Sequence, residues 1–132
     1  MNNDYLCPSC RGQLKVNNNI VFSAKNKHGE GGLLILSPEL GDYVVKKHPR
    51  FNYKEGEHVD FYCPICHADL ASDISENLAE IIMIDDNKKE FEIFFSEIAG
   101  EKCTYKISGD AVESYGKDST HYINFFGEEP KY

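Results

Sequence analysis

The chain contains no apolar run approaching the ~18–20 residues that a membrane-spanning helix needs. Its first residues, MNNDYLCPSC, offer neither a basic head nor an apolar stretch, so no secretory signal is expected there. Also missing are Gly-x-Ser-x-Gly, His-Glu-x-x-His and a phosphate-cradling Gly-rich loop. HGEGGLL (28–34) is glycine-rich but lacks the Lys-Ser/Thr of such a loop, and reads as a turn into a strand. Positive charge is scarce in the second half. Through Cys66, 8 Lys and Arg stand against 7 Asp and Glu; from His67 onward, 6 stand against 15. An acidic half repels phosphate backbones and disfavours wholesale nucleic-acid binding. These absences lead us to expect a non-catalytic chain that does not cross a membrane. The expected setting is the reduced cytoplasm, where Cys-x-x-Cys pairs more often hold metal than form disulfides.

What is present fits one folded domain spanning 1–132, with 41% hydrophobic residues, 8 Tyr and 8 Phe. Apolar residues recur mostly with period two. QLKV and IVFSA flank NNN, whose Asn residues tolerate positive φ, as a hairpin requires. GGLLILS and DYVVKK flank PELG, EHVDFY leads into a cysteine pair, and EIIMID and EFEIFFSE flank DNKK. CTYKIS alternates Cys103, Tyr105 and Ile107 with polar neighbours, and THYINFF reads as a last strand before a GEEPKY tail. Only SDISENLAEII invites a helix, with Ser72 or Ser75 as N-cap. The expected fold class is mainly β, with antiparallel hairpins in a single small domain and at most one or two short helices.

Cys-Pro-x-Cys-x-x-x-Leu is written twice, as Cys7, Pro8, Cys10, Leu14 and as Cys63, Pro64, Cys66, Leu70, at an offset of 56. Further matches follow. SPELGD resembles SEIAGE at 59, Tyr43 and Tyr53 match Tyr105 and Tyr115 at 62, and HVDFY resembles HYINFF at about 63. A growing offset is what small loop insertions produce. The pattern raises an internal duplication, 5–62 and 62–126, with the two β units clamped by one metal. Recurring strands and turns can also align by chance.

Each Cys-x-x-Cys turn places two thiolates on one side of a metal ion, with backbone N–H groups aimed at the sulfurs. Neither pair closes a tetrahedral shell alone; Cys7, Cys10, Cys63 and Cys66 together make a four-cysteine shell. Pro8 and Pro64 fix φ after the first cysteine, and Leu14 and Leu70 would pack beneath the two turns. These half-motifs resemble the paired knuckles of zinc-ribbon proteins, whose usual form is Cys-Pro-x-Cys-Gly-x-x-Leu. The resemblance covers two stretches of about eight residues and implies a structural zinc on the four cysteines. The glycine position is Arg11 in one knuckle and His67 in the other, so those residues must bear a positive φ. The 52 residues between the pairs, 11 to 62, exceed the ~15–20 of a compact ribbon. Iron in a rubredoxin-like site would use the same thiolates. A dithiol redox pair is the other alternative, although no βαβ pattern accompanies it.

Cys103 reads as a small buried hydrophobe. His67 directly follows a completed pair and is not expected to replace a ligand. His28, His48, His58 and His121 form no ligand spacing with one another and read as loop or strand-end residues. In VVKKHPRFNYK (44–54), Lys46, Lys47, Arg50 and Lys54 interleave with Phe51 and Tyr53, a candidate contact surface in an acidic protein. The plainer reading is a solvated loop with its aromatics turned inward. The functional expectation is a zinc-binding adaptor for another protein. A nucleic-acid-associated zinc ribbon and an iron electron carrier are the alternatives.

Overall fold

The stretches of period two become strands, and alternate residues of each strand enter the core. The structure, a computed structural model, describes residues 3–109 and 111–118. In chain order the strands are β1 (Asp4–Leu6), β2 (Lys15–Val16), β3 (Asn19–Lys25), β4 (Gly31–Leu36), β5 (Val45–Lys47), β6 (Asp60–Tyr62), β7 (Leu78–Ile84), β8 (Glu90–Ser96), β9 (Thr104–Ser108) and β10 (Ala111–Tyr115). They form two antiparallel sheets of five strands in a single small domain, neither closed into a barrel. One sheet has the order β1-β7-β8-β9-β10. The other has β2-β3-β4-β5, with β6 also paired to β3.

There is no helix among the described residues, which corrects the expectation for SDISENLAEII. The Ser75 backbone N–H donates to Ser72 Oγ (3.2 Å) and the Ser72 hydroxyl donates to the Ser75 carbonyl (3.0 Å), closing a local turn. From Leu78 onward the buried residues Leu78, Ala79, Ile81 and Met83 line up along a strand, and tertiary pairing overrides the capping signal. The THYINFF strand expected near the end lies outside the described residues.

The two sheets repeat one another's register. β3 pairs with β4 from Ile20↔Leu36 to Lys25↔Gly31; β7 pairs with β8 from Ala79↔Phe95 to Ile84↔Glu90, each partner 59 residues later. The connecting turns agree as well. Asn26 N–H donates to the Glu30 carbonyl (3.0 Å), and Asp85 N–H donates to the Lys89 carbonyl (3.1 Å). The Asn26 and Asp85 side chains each accept two further N–H groups of their own turns. The offset of 59 persists through β5 and β9 (Leu36↔Val45 against Phe95↔Thr104). Tyr43 therefore corresponds to Lys102, and the expected match of Tyr43 with Tyr105 does not hold.

The knuckle strands are divided between the sheets: β1 joins the later strands and β6 the earlier ones. β1 pairs with β7 (Tyr5↔Met83), and β6 pairs with β3 (Phe61↔Ala24). Between the sheets lies the larger core. Phe22, from β3, meets Phe61 edge-on at 5.3 Å and Phe95 at 5.4 Å, so strands of both sheets share one aromatic contact. A cavity of about 160 Å³ lies beside this cluster, between the β4–β5 and β8–β9 connections. Leu78, Phe94, Cys103 and Tyr105 form a smaller second cluster. On β8, adjacent residues Ile93 and Phe94 belong to different clusters, so both faces of this strand are packed.

Candidate metal centre

The two knuckles are built alike. Cys7 N–H donates to the Gly12 carbonyl and Cys63 N–H to the Ala68 carbonyl; Arg11 N–H donates to the Cys7 carbonyl and His67 N–H to the Cys63 carbonyl. The turns so formed aim the N–H groups of Ser9 and Cys10 at Cys7 Sγ (3.3 and 3.5 Å). Those of Ile65 and Cys66 are aimed at Cys63 Sγ at the same distances. Such donors stabilise thiolate sulfur. Arg11 (φ 58°) and His67 (φ 65°) do bear the left-handed conformation that the missing glycines would have taken. Leu14 and Leu70 are buried beneath the turns.

The structure brings all four expected ligands together. One sulfur of each of Cys7, Cys10, Cys63 and Cys66 lies within 4.8 Å of the other three. Cys7 Sγ is 3.7 Å from Cys66 Sγ, and Cys10 Sγ is 3.8 Å from Cys63 Sγ. A tetrahedral ion with metal–sulfur legs of ~2.3 Å has edges of about 3.8 Å, so these cross-knuckle distances fit a metal site of four thiolates. They are far longer than the ~2.05 Å of a disulfide. Cys7 and Cys63 are buried, while Cys10 and Cys66 face outward. As thiols the ligands are unequal: burial pushes Cys7 up to about 12, and the backbone N–H of Ala68 leads in drawing Cys66 down to about 7. Ile65 reaches across to Gly12, where an added Cβ would stand 2.6 Å from Ile65 Cδ1. Arg11 pairs with Glu90 of β8 at the exposed rim.

Cys103 stands apart from the four, fully buried and pushed up to about 12 by burial, as a core thiol. His67 is exposed and outside the cluster. In the 44–54 stretch, Lys46, Lys47, Arg50 and Lys54 are exposed, Phe51 is buried, and Tyr53 is half-buried against it. Phe51 covers Gly32, where a Cβ would meet the ring at 2.4 Å, and Lys47 Nζ lies 5.5 Å from the centre of the Tyr53 ring.

Sequence reasoning missed a second constellation. His58, Asp60 and Glu97 bring one nitrogen and two carboxylate oxygens within 4.8 Å of each other. Glu97 is fully buried at the end of β8, and burial pushes its carboxyl up to about 7 against the opposing Phe61 N–H and His58. His58 and Asp60 are two residues apart where the chain enters β6, a signal visible in the sequence. Glu97 comes from 37 residues beyond Asp60, and only the fold supplies it. No protein-family model, curated protein or solved structure matches this chain, so the centre is read from its own geometry.

Proposed function

We propose that this chain is a small zinc-binding β protein, a non-catalytic adaptor whose zinc, held by the four cysteines, is structural. The observation that carries the reading is the pair of sulfur–sulfur edges, 3.7 and 3.8 Å, each joining one knuckle to the other. Four thiolates fill a tetrahedral shell and leave no position for a reacting water. The ion would clasp the two knuckles, which follow β1 in one sheet and β6 in the other. A reduced cytoplasmic setting suits such thiolates.

The adaptor role rests on the surface beside β5. Among the described residues this strand pairs on one side only, with β4, and it presents Val45, Lys46 and Lys47 to solvent. Arg50 and Lys54 extend the basic surface. A partner carrying an acidic extended segment would suit it, adding a strand at the edge. The nucleic-acid reading gains less support, because Phe51 is turned inward and cannot stack on a base. We also read the two halves, 5–62 and 62–126, as copies of one unit, which the constant register of the ladders supports.

Metal content per chain, measured by elemental analysis on protein purified without added metal, tests the centre. About one zinc is expected. Iron at the same stoichiometry would favour the electron carrier, and a metal-free protein with four reactive thiols would overturn the reading. Charge reversal at Lys46 and Lys47 tests the adaptor role: the partner retained by the unmodified protein should be lost, and unchanged retention would sink that surface.

A further inference from the structure

We propose that His58, Asp60 and Glu97 form a second divalent-cation site, with three protein donors and an open side. His58 Nε2 lies 3.0 Å from Glu97 Oε1 and 3.2 Å from Asp60 Oδ1. Two donors at right angles around an ion with legs of ~2.1 Å stand about 3.0 Å apart, so the imidazole nitrogen has the spacing of a neighbouring ligand to each carboxylate. One imidazole nitrogen carries at most one proton and cannot donate a full hydrogen bond to two carboxylates. A cation at their common focus satisfies all three groups.

The surroundings are arranged accordingly. The Glu97 side chain is 0% exposed, and its second oxygen accepts the Phe61 N–H at 3.1 Å, leaving Oε1 for the triad. A backbone donor that orients a ligating carboxylate is characteristic support for a metal ligand. His58 and Asp60 are 35% and 49% exposed, so an ion has an entry path, and water or a small anion can take the remaining positions. Mixed nitrogen and carboxylate donors suit Mn²⁺, Fe²⁺ or Zn²⁺.

The other half of the molecule shows that the fold does not need this charge. The residue 59 before Glu97 is Pro38, and the counterpart of Phe61 is Tyr5. There the Tyr5 hydroxyl donates to the Pro38 carbonyl at 2.5 Å, and a neutral hydrogen bond takes the place of a buried carboxylate. Burying a carboxylate is costly unless it is paired, so its presence in one half alone marks that corner as specialised.

The test is titration of the zinc-loaded full chain with Mn²⁺, following loss of the free-ion electron paramagnetic resonance signal. Mn²⁺ competes poorly for thiolates and leaves the four-cysteine centre undisturbed. About one Mn²⁺ per chain is expected, with binding weakened at least about tenfold in Asp60→Asn and in His58→Gln while zinc content stays unchanged. Mn²⁺ uptake by the unaltered protein no stronger than by either variant would overturn the proposal. The site stands independently of the four-cysteine reading. A chain that purifies without zinc yet binds Mn²⁺ through these residues would overturn the first centre and leave the second.

Discussion

Arg11 and His67 hold a backbone conformation that costs a side-chain-bearing residue roughly 1–3 kcal/mol and costs glycine little. Arg11 recovers part of this through its pair with Glu90, whereas His67 is exposed and outside the ligand cluster. His67→Gly is therefore expected to raise stability by about 0.5–1 kcal/mol, seen as a higher urea midpoint with metal content unchanged. A lower midpoint would reveal a stabilising role for the imidazole. Cys103 gives a pH prediction. Its ordinary value of 9.0 rises to about 12 in the fold, through burial first and then Glu101 and Asp118. The folded state holds this proton more tightly, so the contribution to stability is complete below about pH 9 and lost as pH rises towards 12. Cys103→Ala should flatten that part of the alkaline decline relative to the parent, measured as the difference between their urea midpoints from about pH 8 to about 10.5. At this scale the knuckles were legible because local spacing alone builds them. The triad was not, because Glu97 reaches His58 only once β8 ends beside the approach to β6.

At the scale of elements, β4 and β8 occupy equivalent places but fill them differently. Phe91 of β8 carries its own ring, with Lys106 Nζ 4.2 Å and Lys89 Nζ 5.2 Å from its centre. Its counterpart on β4 is Gly32, and the space above it is taken by Phe51, borrowed from the chain beyond β5. The glycine is thus a socket that fastens the basic stretch to the sheet. Gly32→Ala should expel Phe51 and cost about 1–3 kcal/mol in urea unfolding. It should also make the chain after Lys46, Lys47 and Arg50 markedly more sensitive to trypsin; unchanged cleavage would mean that Phe51 does not anchor the loop. The hairpins were read correctly from turn residues. Asn17 (φ 48°) and Asn18 (φ 62°) form the two-residue turn between β2 and β3 that the Asn run announced. β1 and β10 were not read as strands. β1 has only three residues and owes its pairing to β7, far along the chain, while β10 is mostly exposed and lacks a clear apolar face.

For the whole molecule, the pairing of β1 with β7 makes the two sheets interdependent. The β7-β8-β9-β10 sheet takes in β1 from the start of the chain, and the four sulfurs follow β1 in one sheet and β6 in the other. Chelation, or Cys63→Ser, should therefore weaken both sheets together, by at least about 3 kcal/mol, in one cooperative urea transition. Circular dichroism and tyrosine fluorescence should give coincident midpoints, and separate midpoints would mean that the sheets unfold independently. The same pairing sets an order on synthesis. Until β6 and β7 leave the ribosome, β1 has its local bridge to Gln13 but not its sheet partner, the β3 flank awaiting β6 is bare, and Cys7 and Cys10 offer an ion only half of its donors. The amino-terminal strand must wait for residues 82–84 before it can join its sheet. An ion can then be enclosed only after the second knuckle has been made, while the first strand still waits for its place in the sheet.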